Sequence, residues 1–312
     1  MPWWGIVSIA LAALLVFAAA VGYASFYFAV ARKPHPPNLD AQQQGDNPDK
    51  QKERARIDHG KRWAEQTGYE TVTQSRDGLR LTAYYFDRHS DKTCVLVHGY
   101  TSCGSNRFCD ARLYWDRGYN VLVPDLRAHG ASEGRYIGMG VPDRLDVAAW
   151  VEWVDRRVGP RNRVVLDGVS MGSATVLSAG ALPLPSVRLI VADCGYTSVY
   201  DVFCHQLRKT RGTPAKLLLF LAGFWSRALA KYGFREASAL EAVRTSDIPK
   251  LFIHGDQDDF VPYAMLDQLI DACRAPHEVL RVAGAAHAMS FVREQALCEA
   301  KVVECLEKYV EN

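Results

Sequence analysis

The sequence lacks any Cys-x-x-Cys pair. Its eight cysteines, Cys94, Cys103, Cys109, Cys194, Cys204, Cys273, Cys298 and Cys305, show no metal-ligand spacing. In a chain of 312 residues this argues against both a zinc site and a disulfide framework. Cys94 and Cys194 sit within or at the ends of apolar runs and read as small buried hydrophobes. An excess of positive charge is also missing: 37 Lys and Arg stand against 35 Asp and Glu, for a net charge of +2. A nucleic-acid binder would show a basic stripe, so no nucleic-acid partner is expected. The one Lys/Arg cluster, Lys50 to Arg56, is interleaved with acids and reads as a solvated helix face. No glycine-rich phosphate loop occurs, and neither a nucleotide cofactor nor a metal is implied.

The first 31 residues lack charged side chains altogether. That run exceeds the roughly 20 apolar residues that cross a bilayer core. Trp3 and Trp4 near one end, and Tyr23, Phe26, Tyr27 and Phe28 toward the other, have the placing of interfacial aromatic belts. A cleaved signal peptide normally starts with positive charge, which is absent here. The segment 1–31 is therefore expected to be a single-pass transmembrane anchor in the cell membrane. Arg32 and Lys33 follow it at once, and the positive-inside rule then places the remaining chain in the cytoplasm. Residues 32–66 read as a linker and a charged helix: Pro34 to Asp49 is rich in proline and polar residues, and the helix runs from about Lys50 to Gln66.

From residue 67 to 312 the pattern is that of a single folded domain. Two β-rich runs flank Asp77-Gly78, a hairpin signal. Six apolar runs then alternate with helical stretches: TCVLVHG, YNVLVPD, RVVLDGVS, VRLIVADC, PKLFIHGD and HEVLRVAG. This predicts an α/β fold with a mostly parallel central sheet covered by helices on both faces. The long interval of about 196–246, holding the apolar PAKLLLFLAGFWSRALAKYGF, predicts a small helical cap over one edge of the sheet. Such a cap suits a substrate with an apolar portion.

One turn between strand and helix carries chemistry. In Gly168-Val169-Ser170-Met171-Gly172 a serine sits between glycines, after a strand and before a helix. Alone the pattern is weak, arising by chance in roughly one chain in ten of this length. A hydroxyl becomes a nucleophile only when a base takes its proton. Downstream, in the order such enzymes use, strand ends offer Asp256, Asp258 and Asp259, and then His287. The developing oxyanion needs donors, and the backbone N–H groups of Tyr100, after His98-Gly99, and of Met171 are the candidates.

HGYTS, DLRAHGASEG, GVSMGS, HGDQDDFVP and GAAHAMSF, spread from Tyr69 to Asn312, together resemble the α/β-hydrolase superfamily. The resemblance is to the serine hydrolases related to monoglyceride lipases and serine aminopeptidases. It implies Ser170, Asp258 and His287 as the catalytic triad, choosing Asp258 over its two neighbours. It also implies that Asp125, Arg127 and His129 are structural, and on a plain-turn reading of His98-Gly99 the His98 side chain is structural too. Cleavage of a small-molecule ester or acyl substrate through an acyl-enzyme is the expected activity, without a cofactor. The same machinery serves peptidases, thioesterases and acyltransferases. A non-catalytic binding module on this fold is the reading from another class.

Overall fold

A computed structural model of the chain describes residues 2–33, 47–210, 212–236 and 238–311. The linker expected between Pro34 and Asp49 falls largely on residues 34–46, outside the described residues. Helix α1 (Trp3–Val30) precedes them and α2 (Pro48–Thr67) follows, capped by the Asn47 side chain on the Asp49 amide. The hairpin is β1 (Glu70–Arg76) and β2 (Leu79–Phe86), with Arg76 opposite Leu79. Asp77 and Gly78 have φ of 51° and 77°, the two positive values that a tight hairpin turn requires.

The apolar runs form β3 (Lys92–Val97), β4 (Asn120–Pro124), β5 (Arg163–Val169), β6 (Val187–Asp193), β7 (Lys250–Gly255) and β8 (His277–Val282). All eight strands make one sheet in the order β1-β2-β4-β3-β5-β6-β7-β8. The β1-β2 and β2-β4 pairs are antiparallel, and every later pair is parallel. This is the mostly parallel α/β sheet that the sequence predicts. Its inner strands are near-continuously apolar because both faces are covered. Alternate residues serve opposite sides. Val95 and Val97 join one core with Leu166, Ile190 and Phe252, while Cys94 and Leu96 join the other with Val165, Val191 and Ile253.

Helices α3 (Phe108–Asp116), α4 (Asp143–Val158) and α5 (Met171–Ala179) connect the first parallel strands. Between β6 and β7 the chain is helical: α6 (Val199–Arg208), α7 (Ala215–Trp225), a π turn at Ser226–Ala230, and α8 (Ala239–Thr245). Helices α9 (Ala264–Ala272), α10 (Ser290–Arg293) and α11 (Gln295–Leu306) complete the order.

Two features depart from the sequence reading. Helix α1 is long and apolar enough to cross a membrane, yet its last turns belong to the folded body. Phe26 and Val30 are fully buried in the larger core, and the Ile137 amide donates to the Val30 carbonyl at 2.7 Å. The Lys50 to Arg56 cluster is also not simply a solvated face. Lys50 and Lys52 are exposed, but Arg56 is mostly buried and bonds to Asp110 on α3. Burial opposes a charged guanidinium, and the Asp110 carboxylate outweighs it, so the Arg56 pKa rises.

Candidate active site

The turn from β5 to α5 is shaped by close approach. A Cβ on Gly168 would fall 2.4 Å from the Gly172 carbonyl, and one on Gly172 only 2.3 Å from the Val97 carbonyl oxygen. Only hydrogen fits at either position. Ser170 between them has φ 54° and ψ −116°, a conformation disfavoured for a side-chain-bearing residue. The Asp193 carbonyl receives the Ser170 amide at 2.9 Å, and α5 begins directly behind it. The hydroxyl is thereby held at the carboxyl end of the sheet, where open α/β folds build their sites.

His287 lies in the loop after β8, 117 residues further along the chain, and the Ser170 Oγ is 2.8 Å from its Nε2. On the other side of the ring, His287 Nδ1 is 2.7 Å from Asp258 Oδ2. Asp258 follows β7 and is buried. Its Oδ1 accepts the amides of Phe260 at 2.9 Å and Val261 at 2.8 Å. Burial by itself would raise this carboxyl. Hydrogen bonds from His254 and His287, the His287 charge and the Val261 amide reverse that and lower it to about 2. The carboxylate thus stays ionised and orients the imidazole with its Nε2 free to take the serine proton.

The neighbouring aspartates are placed elsewhere. Asp256 accepts the Gly284 amide at 2.7 Å, and Asp259 is 88% exposed beside Lys209. Of the expected amide donors, Met171 N–H stands at the start of α5, where a helix leaves its first amides without intrahelical partners. Tyr100 follows Gly99, where a Cβ would lie 3.4 Å from the Val169 carbonyl oxygen and 3.5 Å from Ser170 Cβ. The other motif residues are framework. His98 Nε2 accepts the Leu126 amide, and His129 Nε2 accepts the Thr101 amide, so both rings are neutral. Burial, then the adjacent His98, lowers His129 to about 3. Asp125 holds the amides of Gly104 and Ala131, and Arg127 grips Asp146 with two nitrogens.

Two cavities meet at Ser170. One, of about 530 Å³, is lined by apolar side chains including Met139, Val202, Leu219, Phe234 and Phe260. The other, of about 220 Å³, carries Glu53, Arg56, Asn106 and Asp193. Asp193, fully enclosed, is pushed up to about 6 by burial, against the pull of His254 and a hydrogen bond from Ser290. The arrangement therefore offers an apolar chamber and one of mixed polar and apolar lining, with Ile57, Phe291 and Val292 beside the charged groups, on a single hydroxyl.

Several site residues carry no signal that sequence reasoning caught. His254 looks like a plain strand end, yet it contacts Asp258 Oδ2 at 3.2 Å. Phe260 packs its ring against His287, centroids 4.8 Å apart. Gln206 of α6 and Lys209 just after it donate to the carbonyls of Phe260 and Asp259, tying this helix to the acid loop. Cys194, Asp258 and His287 also bring one ligand atom each within 4.8 Å of one another. Burial holds the Cys194 thiol well above its usual range, so it is protonated, and His287 and Asp258 are already bonded to each other. That set suits proton transfer better than metal ligation.

The chain is 29% identical over 238 residues to the uncharacterized protein YqkD of Bacillus subtilis, covering 76% of this chain and 78% of that one. It is 23% identical to the uncharacterized protein YfhR of Escherichia coli K12, over 70% of this chain and 72% of the relative. Among solved structures it shares the fold of the Pyrococcus furiosus esterase Pf2001, with TM-score 0.63, 24% identity, and coverage of 78% of this chain and 92% of the esterase. Est1E of Butyrivibrio proteoclasticus, solved with ferulic acid bound, superposes with TM-score 0.58 at 16% identity, over 77% and 100% of the two chains. The family described as X-Pro dipeptidyl-peptidase (S15 family) matches residues 48–288. The chain is thus a serine hydrolase of the α/β-hydrolase fold and belongs to the S15 family.

Proposed function

We propose that this protein is a membrane-anchored esterase that cleaves lipid-like carboxylic esters through an acyl-enzyme. Ser170 attacks the ester carbonyl as His287 takes its proton. The Tyr100 and Met171 amides receive the oxyanion. His287 then protonates the departing alcohol, and water, activated by the same imidazole, releases the acid. Asp258 fixes the ring and balances its charge. The observation that carries the reading is the meeting of Ser170 with a strongly apolar chamber of about 530 Å³ and a smaller one whose mixed lining includes Glu53, Arg56 and Asn106. A greasy acyl group fits the first, and the polar leaving group fits the second. Helix α1 supports the anchor: none of Trp3 to Val21 is buried against the body, as a core helix would require. Arg32 and Lys33 directly after it favour a cytoplasmic catalytic domain.

The S15 match favours a second reading, a peptidase acting on short peptides with the same residues. An apolar chamber does not recognise a peptide amine or backbone, which is why the ester reading ranks first. A fluorophosphonate probe should label wild type and spare Ser170→Ala. A series of p-nitrophenyl esters of rising chain length, run beside X-Pro peptide amides, should show an optimum at medium or long acyl chains. Turnover of the peptides with none of the esters would replace the first reading by the second, and an unlabelled, folded wild type would remove both.

A further inference from the structure

The large cavity is not enclosed by the α/β body alone. Ala24, Ser25, Phe28 and Ala29 of α1 line it together with Leu218, Leu219 and Ala222 of α7. The two helices are locked to each other. A Cβ on Gly22 would lie 2.8 Å from Leu221 Cβ and 2.9 Å from its carbonyl oxygen, so only a glycine lets the two backbones come this close. Trp225 Nε1 donates to the Ala19 carbonyl at 2.9 Å, and its ring meets Tyr23 edge-on at 5.3 Å. The pairing is antiparallel: the end of α7 lies beside Ala19 to Tyr23, while its start shares the cavity with Ser25 to Ala29.

This fixes the depth of α7. Trp3 to Val21 contains no buried residue, and at 1.5 Å per residue it is about 28 Å long, close to a hydrocarbon core of about 30 Å. Burial against the body begins at Gly22. Where α1 leaves a bilayer, α7 is therefore already at its side. On α7, Leu217, Phe220 and Phe224 are 55%, 75% and 67% exposed, and Tyr27 and Phe28 extend the apolar surface on α1. Such a patch is costly in water and matches a membrane.

Building on the esterase reading above, we infer that the substrate is a lipid ester resident in the bilayer, whose acyl chain slides from the membrane into the cavity between α1 and α7. The N-terminal helix is then a wall of the substrate site as well as an anchor. The route spares the chain from water, where every exposed methylene adds to the cost. It also places the ester carbonyl at Ser170, the point where the apolar cavity meets the smaller mixed one.

The test uses the full chain in vesicles of phosphatidylcholine and phosphatidylglycerol. Hydrolysis of 4-methylumbelliferyl oleate held in the vesicles is compared with that of water-borne 4-methylumbelliferyl butyrate, and fluorophosphonate labelling reports an intact site. The double variant Leu217→Asp, Phe220→Asp changes exposed side chains that do not line the cavity; Ser25→Trp fills the cavity from α1. Each should lower oleate hydrolysis at least tenfold, and the double variant should keep butyrate hydrolysis and labelling within twofold of wild type. Should one variant fail to fold, the other decides. Oleate hydrolysis within twofold of wild type in a labelled variant overturns the route, as does a wild type that cleaves butyrate but not oleate; either leaves the hydrolase reading standing. A wild type that cleaves neither ester removes the esterase reading itself.

Discussion

His254 Nε2 lies 3.2 Å from Asp258 Oδ2, the same oxygen that faces His287 Nδ1 at 2.7 Å. With the Phe260 and Val261 amides on Oδ1, both oxygens of this buried carboxylate are held by donors. A carboxylate so satisfied neither rotates nor protonates near neutral pH, and its orientation is passed to the His287 ring.

His254 should therefore act as a positioning residue. His254→Leu removes the Nε2 contacts to both Asp258 Oδ2 and the Val261 carbonyl, together worth about 2 kcal/mol. We expect kcat to fall roughly tenfold with KM nearly constant, and the acid limb of the pH profile to move upward as Asp258 loses support. His254→Gln, which restores a donor, should recover most of the loss. A pH profile that stays in place with His254→Leu would assign His254 to packing alone.

The three aspartates after β7 should separate sharply. Asp258→Asn leaves His287 without its acceptor and favours the wrong tautomer, lowering kcat on the order of 10⁴-fold. Asp256→Asn and Asp259→Asn should stay within a few-fold of wild type, because Asp256 serves the Gly284 amide and Asp259 faces solvent. Steady-state kinetics on one ester decides this, and equal losses would refute the assignment.

The Tyr100 hydroxyl donates to the Ala29 carbonyl at 2.8 Å, joining the loop that carries a proposed oxyanion amide to α1. Tyr100→Phe keeps that amide and removes the tie, at a cost of about 1 kcal/mol. A several-fold drop in kcat on short esters, with slower fluorophosphonate labelling, is the expected result. Unchanged labelling kinetics would show that the tie does not position the loop.

Asp143 links stability to pH. Burial, and then the Asp146 charge, raise its carboxyl to about 7, and its Oδ1 is enclosed without a hydrogen-bond partner. An unfolded aspartate titrates near ~3.9. Between about pH 4 and pH 7 the folded state thus holds the proton that the unfolded state has lost, so stability falls as pH rises through that window. The full penalty, on the order of 4 kcal/mol, is present above it. Asp143→Asn should raise Tm relative to wild type at pH 8, with the difference vanishing near pH 4. A difference independent of pH would contradict this assignment.

Much of the fold is legible in the sequence because it is written locally. Apolar runs of strand length, the Asp77-Gly78 turn and the intervening helical stretches predict a hairpin and a mostly parallel sheet, since each depends on side chains a few residues apart. The serine between Gly168 and Gly172 is legible for the same reason: a tight strand-to-helix turn admits few residue types. Spacing alone leaves Asp256, Asp258 and Asp259 equivalent, and a motif resemblance singles out Asp258. Which of them faces His287 is a matter of how two loops meet.

What only the tertiary structure decided are relationships between distant segments. Nothing around Arg56 announces Asp110, and the cluster reads as solvated until α2 is laid on α3. Nothing in the first 31 residues tells a free apolar helix from one that lines a cavity. That distinction rests on Gly22 meeting Leu221, and on Trp225 reaching Ala19 across 206 positions of sequence. Periodicity records which face of an element is apolar; only packing records what that face is pressed against.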